Sequence, residues 1–200
     1  MKKFILSVLA AVMLLIPINT FAAQTYTVVK GDTLWKISVR YQIGLSEIIS
    51  ANSQISNPAL IYPGQVINIP TMDTGVLNYE SEVVRLVNQI RAQNGLSKLK
   101  ENWELSRVAR YKSQDMKDKG YFSHTSPTYG SPFDMMKSFG ISYRSAGENI
   151  ARGQSTPQAV VNAWMNSSGH RANILNSSYT EIGVGYVAGG HYWTQMFIGR

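Results

Sequence analysis

Ala146-Gly147-Glu148-Asn149-Ile150 is the stretch around which the second half of the chain is organised. Glu148 is one of only two acidic residues after Asp134, and its immediate neighbours are small, polar but uncharged, or apolar. Burying a carboxylate without a partner is costly, because the charge loses its hydration and gains nothing in return. We therefore expect Glu148 to be paired, hydrogen-bonded or protonated inside the folded protein.

Three other dense segments accompany this stretch, and together they hold all three histidines of the chain. The segments are Tyr121-Phe122-Ser123-His124, residues 164–175 and residues 190–197. Histidine and carboxylate side chains gathered in a few segments are typical of metal or proton-transfer sites. This concentration is the first indication of where a functional site lies.

Composition limits the class of protein. The chain has 200 residues, of which 44% are hydrophobic, and this suits one or two packed domains. It contains no cysteine, which excludes disulfides, a thiolate nucleophile and cysteine-ligated zinc. The formal net charge is +7, but no run of Lys and Arg indicates a nucleic-acid partner. The positive charge has two explanations: binding to an anionic envelope polymer, or simple solubility. The sequence is compatible with both.

The first 22 residues have the pattern of a secretory signal peptide. Lys2 and Lys3 form a charged start, and residues 4–16 form an apolar segment that is short for a membrane span. Pro17 follows, and Thr20-Phe21-Ala22 suits cleavage by a signal peptidase. We expect a secreted, extracellular protein with a signal peptide at residues 1–22 and no transmembrane segment after cleavage.

Residues 25–70 predict a small βααβ unit. Tyr26-Thr27-Val28-Val29 is rich in β-branched residues and predicts a strand. From Thr33 the apolar spacing becomes helical, and a second, shorter helix ends by Asn52. Residues 66–70 follow a turn at residues 62–65 and predict the closing strand.

This segment resembles the LysM family. It carries Tyr-Thr-Val-x-Lys-Gly-Asp-Thr-Leu-Trp-x-Ile and then Asn-Pro-x-Leu-Ile-Tyr-Pro-Gly-Gln-x-Ile-x-Ile-Pro. The resemblance implies binding of peptidoglycan or other N-acetylglucosamine glycans in a shallow groove between two loops. The groove residues that it implies here are Gly31, Asp32, Thr33, Asn57, Pro58, Leu60, Ile61 and Tyr62.

Residues 71–77 predict a short polar linker, and residues 78–200 a second domain. Helical spacing of apolar residues and a final pair of strands predict an α+β layered domain. The expected helices include residues 104–119, helices starting at Ser131-Pro132 and Thr156-Pro157, and a brief one at 168–174; the expected strands are 182–188 and 192–198.

The second domain resembles the CAP superfamily, in its cysteine-free bacterial branch. Phe-Ser-His, Gly-Glu-Asn-Ile, Trp-x-x-Ser-x-Gly-His-Arg-x-Asn-Ile-Leu, Glu-Ile-Gly-Val-Gly-Tyr and His-Tyr-Trp-Thr-Gln-x-Phe follow one another in the order typical of that family. The resemblance implies an α-β-α sandwich with an open cleft. Many members hold two His and two Glu in that cleft.

The family motifs place three of these four positions on His124, Glu148 and His191. The position of the second Glu is occupied by Ser167, so the set of four is incomplete. The surrounding sequence offers other polar side chains instead, namely Ser168, His170, Arg171 and Glu181.

Three roles for His124, Glu148 and His191 remain open at this point. The trio suits a site for zinc or another divalent metal, a proton-transfer site, or a polar cluster that ties helices to the sheet. No cofactor is required. The predicted function is a secreted peptidoglycan-binding protein of the cell wall or spore envelope, whose CAP domain binds an unknown ligand or is structural.

The alternative is a hydrolase that acts on wall peptides, lipids or esters. It would depend on a metal, or on a serine such as Ser123, Ser167 or Ser168 beside a histidine. A glycosidase is less consistent with the sequence, because no local pair of carboxylates in the second domain suggests the two catalytic carboxylates that it needs.

Overall fold

The computed structural model describes residues 24–200. The predicted signal peptide at residues 1–22 therefore lies outside the described residues. Within the described part, every helix is too short or too polar to cross a membrane.

The first domain is a βααβ unit, as predicted. It consists of β1 (Gln24–Thr27), α1 (Leu34–Arg40), α2 (Leu45–Ser50) and β2 (Val66–Ile69). The two strands pair antiparallel, with Tyr26 opposite Ile67. Thr33 begins α1, because its hydroxyl accepts a hydrogen bond from the amide of Lys36. One core fills the space between helices and strands, formed by Val28, Leu34, Ile37, Ile43, Ile48, Ile67 and Ile69.

The second domain contains the remaining nine elements of the described chain. They are α3 (Thr74–Gln93), β3 (Lys100–Glu101), α4 (Trp103–Asp118), α5 (Pro132–Ser138), β4 (Ser145–Arg152), α6 (Pro157–Met165), α7 (Ser168–Ile174), β5 (Glu181–Val187) and β6 (Tyr192–Gly199). The strands form one sheet in the order β3-β5-β6-β4, in which only the β3–β5 pair is parallel.

Helices cover both faces of this sheet, so the predicted α-β-α sandwich is present. Residues of α3 and α6 pack in one apolar cluster with Trp193 and Phe197 of β6. Residues of α4 and α5 pack in a second cluster with Met196 and Ile198 of the same strand. Alternate residues of β6 thus serve opposite cores, because successive side chains of a strand point to opposite faces.

Two features differ from the sequence-based expectation. The predicted linker at 71–77 is shorter in the structure, since α3 already begins at Thr74; Asp73 accepts hydrogen bonds from the amides of Gly75 and Val76 and so starts the helix. The stretch Ala146–Ile150 lies within β4, a strand that the sequence did not predict.

Candidate functional site

Glu148 lies on the edge strand β4, on the side of the sheet that faces α4. It pairs with Met196, whose side chain belongs to the cluster of α4 and α5. The Glu148 side chain is only 1% exposed, and its Oε1 lies 2.7 Å from Nδ1 of His124. The partner that a buried Glu148 requires is therefore His124.

The loop that carries His124 is anchored to α4 by Asp115. The Asp115 carboxylate accepts hydrogen bonds of 2.6 Å from the hydroxyls of Tyr121, Ser126 and Thr128. Burial raises the pKa of Asp115, but these hydrogen bonds outweigh burial and bring the pKa below its usual value. His124 thus sits in a loop held on both sides by one buried carboxylate.

Lys112 places a buried cation under the same loop. Its side chain is fully buried, and Nζ donates a hydrogen bond of 2.6 Å to the backbone carbonyl of His124. Burial lowers the pKa of Lys112, while the carboxylates of Glu148 and Asp115 oppose this change. Lys112 thus places a positive charge directly beneath the backbone of His124.

The His124–Glu148 pair has the geometry of an oriented imidazole. An ionised Glu148 accepts a hydrogen bond from Nδ1–H, which leaves Nε2 of the neutral ring as an acceptor. The His124 side chain is 52% exposed, whereas Oε2 of Glu148 is buried with no hydrogen-bond partner among residues 24–200. Such a ring can accept or donate a proton, or bind a polar ligand, at its outer edge.

A network of amides holds the other side of β4 to α7. Asn173 Nδ2 donates to the carbonyl of Glu148 at 3.2 Å and to Asn149 Oδ1 at 2.9 Å. Asn149 Nδ2 in turn donates to the carbonyl of His170 at 3.1 Å and to Gln195 Oε1 at 3.0 Å. This network fixes the backbone of the edge strand, and with it the point from which the Glu148 side chain extends toward His124.

His170 lies in α7, where its carbonyl accepts a hydrogen bond from Asn149 next to Glu148. Burial lowers the pKa of His170, and a positive charge on His124 would lower it further. Sequence reasoning named His170 only as part of the surroundings. The sequence signal for His170 was its place between Ser168 and Asn173 in the CAP motif that begins at Trp164.

His191 does not join the pair, which corrects the predicted trio. Its Nδ1 lies 2.7 Å from the hydroxyl of Tyr186, and its carbonyl accepts from the amide of Gly153. Met196, the partner of Glu148, lies five residues farther along, which corresponds to roughly 16 Å of strand. The register of β4 and β6 therefore separates His191 from Glu148.

The predicted metal trio is consequently not assembled. Across residues 24–200, no three His, Cys, Asp or Glu side chains are arranged to hold a metal ion. The residues that are present do not fit the three-ligand zinc site considered from the sequence, because His191 lies opposite Gly153 at the far end of β4 and not beside Glu148.

The alternative of a serine nucleophile requires a hydrogen bond between that serine and a histidine ring, and none is present among residues 24–200. Ser123 accepts a hydrogen bond from the amide of Thr125, and Ser167 begins α7. Among residues 24–200, the histidine rings are hydrogen-bonded only to Glu148 and Tyr186 and not to any serine. Glu181 pairs with Arg200 at 3.0 Å, away from His124.

The predicted glycan residues of the first domain divide into two groups. Asp32 shapes its loop, since its carboxylate accepts from the hydroxyl of Tyr26 at 2.6 Å and the amide of Val29 at 3.0 Å. Asn57 forms a local turn by accepting from the amide of Ala59. Gly31 has φ of +91°, a conformation that favours glycine.

The second group is exposed. Leu60 and Tyr62 are 51% and 61% exposed, whereas Ile61 between them packs against the core of the first domain. Backbone hydrogen bonds of 2.9 Å join Val28 to Gly64 and Gln65, so the first loop starts beside the end of the second. The two loops therefore adjoin, with an aromatic and an aliphatic side chain facing solvent.

Comparison with known proteins agrees with this architecture. The model of the cysteine-rich secretory protein family (CAP) matches residues 84–197, and that of the LysM domain matches residues 26–70. The protein YkwD of Bacillus subtilis is 65% identical over 127 residues, which are 64% of this chain and 49% of that protein.

Two further matches concern one domain or the other. An extracellular SCP-domain protein of Bacillus anthracis has a solved structure with TM-score 0.60 and 35% identity, covering 69% of this chain and 47% of that one. The spore coat assembly protein ExsA of Bacillus cereus is 46% identical over 48 residues, 24% of this chain and 8% of that protein. The chain spans about half the length of YkwD and of the Bacillus anthracis protein, 49% and 47%. It belongs to the cysteine-rich secretory protein family, and its CAP domain follows a LysM domain.

Proposed function

We propose that the protein is secreted and is retained on peptidoglycan through its LysM domain, while the CAP domain binds a second ligand. The observation that carries the proposal is the pair of adjoining loops with Leu60 and Tyr62 exposed. An aromatic ring and an aliphatic side chain can cover the C–H face of a sugar, and backbone groups of the Gly31 turn can bind acetamido groups.

Retention in the cell wall or in the spore envelope both fit this proposal. The similarity to a spore coat assembly protein, over the LysM segment, supports the spore envelope. The similarity of the CAP domain to an extracellular Bacillus anthracis protein supports export. Cell fractionation at vegetative and sporulating stages distinguishes the two locations.

The experiment is co-sedimentation of the mature protein with purified peptidoglycan. We expect the double variant Leu60→Ala, Tyr62→Ala to remain largely in the supernatant. Trp35→Ala is the matched control, because Trp35 is equally exposed, at 60%, but lies outside both loops. Equal sedimentation of the double variant and the parent would contradict retention through these loops.

Salt separates glycan binding from charge attraction. The chain has a sequence pI near 9.6, so it also attracts anionic polymers. Attraction between exposed charges weakens as salt shortens the Debye length, to about 3 Å at 1 M. At roughly 0.5–1 M NaCl, attraction between exposed charges is almost fully screened. Binding through the loops should persist under these conditions, whereas charge-driven binding should be lost.

A second function, hydrolysis by acid–base catalysis, is favoured by the His124–Glu148 pair. A buried carboxylate that orients a half-exposed imidazole is the arrangement used by general bases. We expect His124→Gln and Glu148→Gln each to abolish any hydrolysis of wall peptides, lipids or esters. Activity that persists in both variants would exclude this role for the pair.

A further inference from the structure

A bidentate ion pair joins the LysM domain to the CAP domain. Arg107 of α4 donates from Nε to Glu47 Oε1 at 2.5 Å and from Nη2 to Glu47 Oε2 at 2.9 Å. Tyr111 donates its hydroxyl to the same carboxylate at 3.0 Å, and Ser46 accepts from Arg107 at 2.9 Å. We call these four side chains the interdomain clamp: Ser46, Glu47, Arg107 and Tyr111.

The clamp differs from an ordinary surface ion pair. The Arg107 and Glu47 side chains are only 21% and 27% exposed. The guanidinium lies 5.3 Å from the ring centre of Tyr111 and 5.1 Å from that of Phe139, so it makes cation–π contacts as well as an ion pair. A bidentate arginine held between two rings has one geometry, unlike the interchangeable geometries of an exposed pair.

Gly44 allows the two domains to approach this closely. A Cβ atom at Gly44 would lie 2.2 Å from Nε of Arg107 and 2.0 Å from Oε2 of Glu47. Its φ of −74° is accessible to any residue, so the backbone conformation does not require glycine. The close approach of the clamp is what a side chain at this position would prevent.

The clamp leaves the proposed glycan loops free. The loop with Gly31 precedes the N-terminus of α1, whereas Gly44 and Glu47 lie beyond its C-terminus. On the other side of the clamp, α4 continues from Arg107 to Lys112, five residues or about 7.5 Å along the helix. Lys112 holds the loop of His124, so one helix carries both the clamp and the support of the His124–Glu148 pair.

The connector between the domains is also short. Only residues 71–73 separate Pro70, which follows β2, from the first residue of α3. Pro70, Thr71 and Met72 line a cavity of about 290 Å³ together with Ile43 and Trp103, so the connector itself packs between the domains. A connector of this length restrains the domains even before the clamp forms.

We infer that the LysM and CAP domains move as one rigid body, with Glu47 and Arg107 as the positioning residues. The glycan loops and the His124–Glu148 pair are then held at one distance and orientation. This goes beyond the proposed function, because it holds whatever the LysM domain binds. A polymer bound by the glycan loops would therefore be held at a defined position relative to the His124–Glu148 pair.

The test is rotational diffusion measured by ¹⁵N relaxation on the mature protein. We expect one correlation time for residues 24–70 and 74–200 in the parent, since a rigid body tumbles as a whole. Gly44→Ala and Arg107→Met should replace the common value by two shorter correlation times, of which that of residues 24–70 is the shorter, because the smaller domain tumbles faster once it is uncoupled. Arg85→Met is the control, because it removes an exposed ion pair with Glu82 within α3 and should change nothing.

A charge exchange tests the pair itself. The double variant Glu47→Arg, Arg107→Glu should recover the common correlation time that each single variant loses. Two correlation times in the parent would overturn the inference, even if a variant failed to fold. An unchanged common time in both Gly44→Ala and Arg107→Met would also overturn it. Co-sedimentation is measured separately, so a loss of glycan binding with common tumbling would contradict only the proposed function.

Discussion

His124 Nδ1 lies 2.7 Å from Glu148 Oε1, although the two residues are 24 positions apart and belong to a loop and an edge strand. The carboxylate is buried and the imidazole is half exposed. This order matters, because a buried acceptor fixes the orientation of a ring whose other nitrogen remains accessible. The reverse arrangement would bury the group that can meet a ligand.

Zinc titration distinguishes this pair from the trio expected from the sequence. Because the strand register places His191 away from Glu148, we expect His191→Ala to leave any zinc affinity unchanged and His124→Ala to lower it. The affinity should also fall at acidic pH, because protons compete with the metal for imidazole nitrogens. Isothermal titration calorimetry measures both effects. An equal loss of zinc affinity in the two variants would show that His191 also belongs to the site.

Removing Trp164 should strongly destabilise the CAP domain. Trp164 is 1% exposed, packs in the cluster with Trp193 and Phe197, and donates Nε1–H to the carbonyl of Ile150 at 3.2 Å. Trp164→Ala should lower the free energy of unfolding by about 3–5 kcal/mol. Denaturant unfolding measures this change, and Trp35→Ala, at an exposed position, is the control. Similar midpoints in both variants would contradict the packing described.

Gly185 should tolerate no side chain. A Cβ there would lie 2.1 Å from the backbone nitrogen of Arg110, because α4 packs directly on β5. Gly185→Ala should cost about 1–3 kcal/mol, since backbone rather than a flexible side chain has to move. Gly169→Ala in α7 meets nothing within 4 Å and should raise stability by up to about 1 kcal/mol. Thermal midpoints should therefore shift in opposite directions.

The contribution of Asp115 should depend on pH. Its folded pKa is lowered, so the stability it contributes is present above the unfolded pKa, about 3.9, and is lost as pH falls through the folded value. Asp115→Asn should cost about 1.5–3 kcal/mol near neutral pH. The difference from the parent should shrink below about pH 4, as measured by urea unfolding. A difference that stays constant down to about pH 2–3, roughly one to two units below the unfolded pKa, would show that the charge is not involved.

Local sequence rules were sufficient to predict these helices and the hairpin of β5 and β6. Thr33, Ser131 and Thr156 each accept a hydrogen bond from the first turn of the helix that was predicted to begin there. The hairpin was predicted at 182–188 and 192–198 and is observed at Glu181–Val187 and Tyr192–Gly199. Caps, prolines at first helical positions and tight turns act over a few residues, so a single sequence contains them.

The sequence by itself also determined that Glu148 needs a partner, because a carboxylate among small and apolar residues is costly to bury alone. It did not determine which histidine is the partner. Ala146–Ile150 lacks the alternation of a strand and contains a single β-branched residue, Ile150, and it becomes β4 by pairing with β6. That pairing sets Glu148 opposite Met196 and His191 opposite Gly153. Strand register depends on packing across the whole sheet, and a motif in one segment cannot specify it.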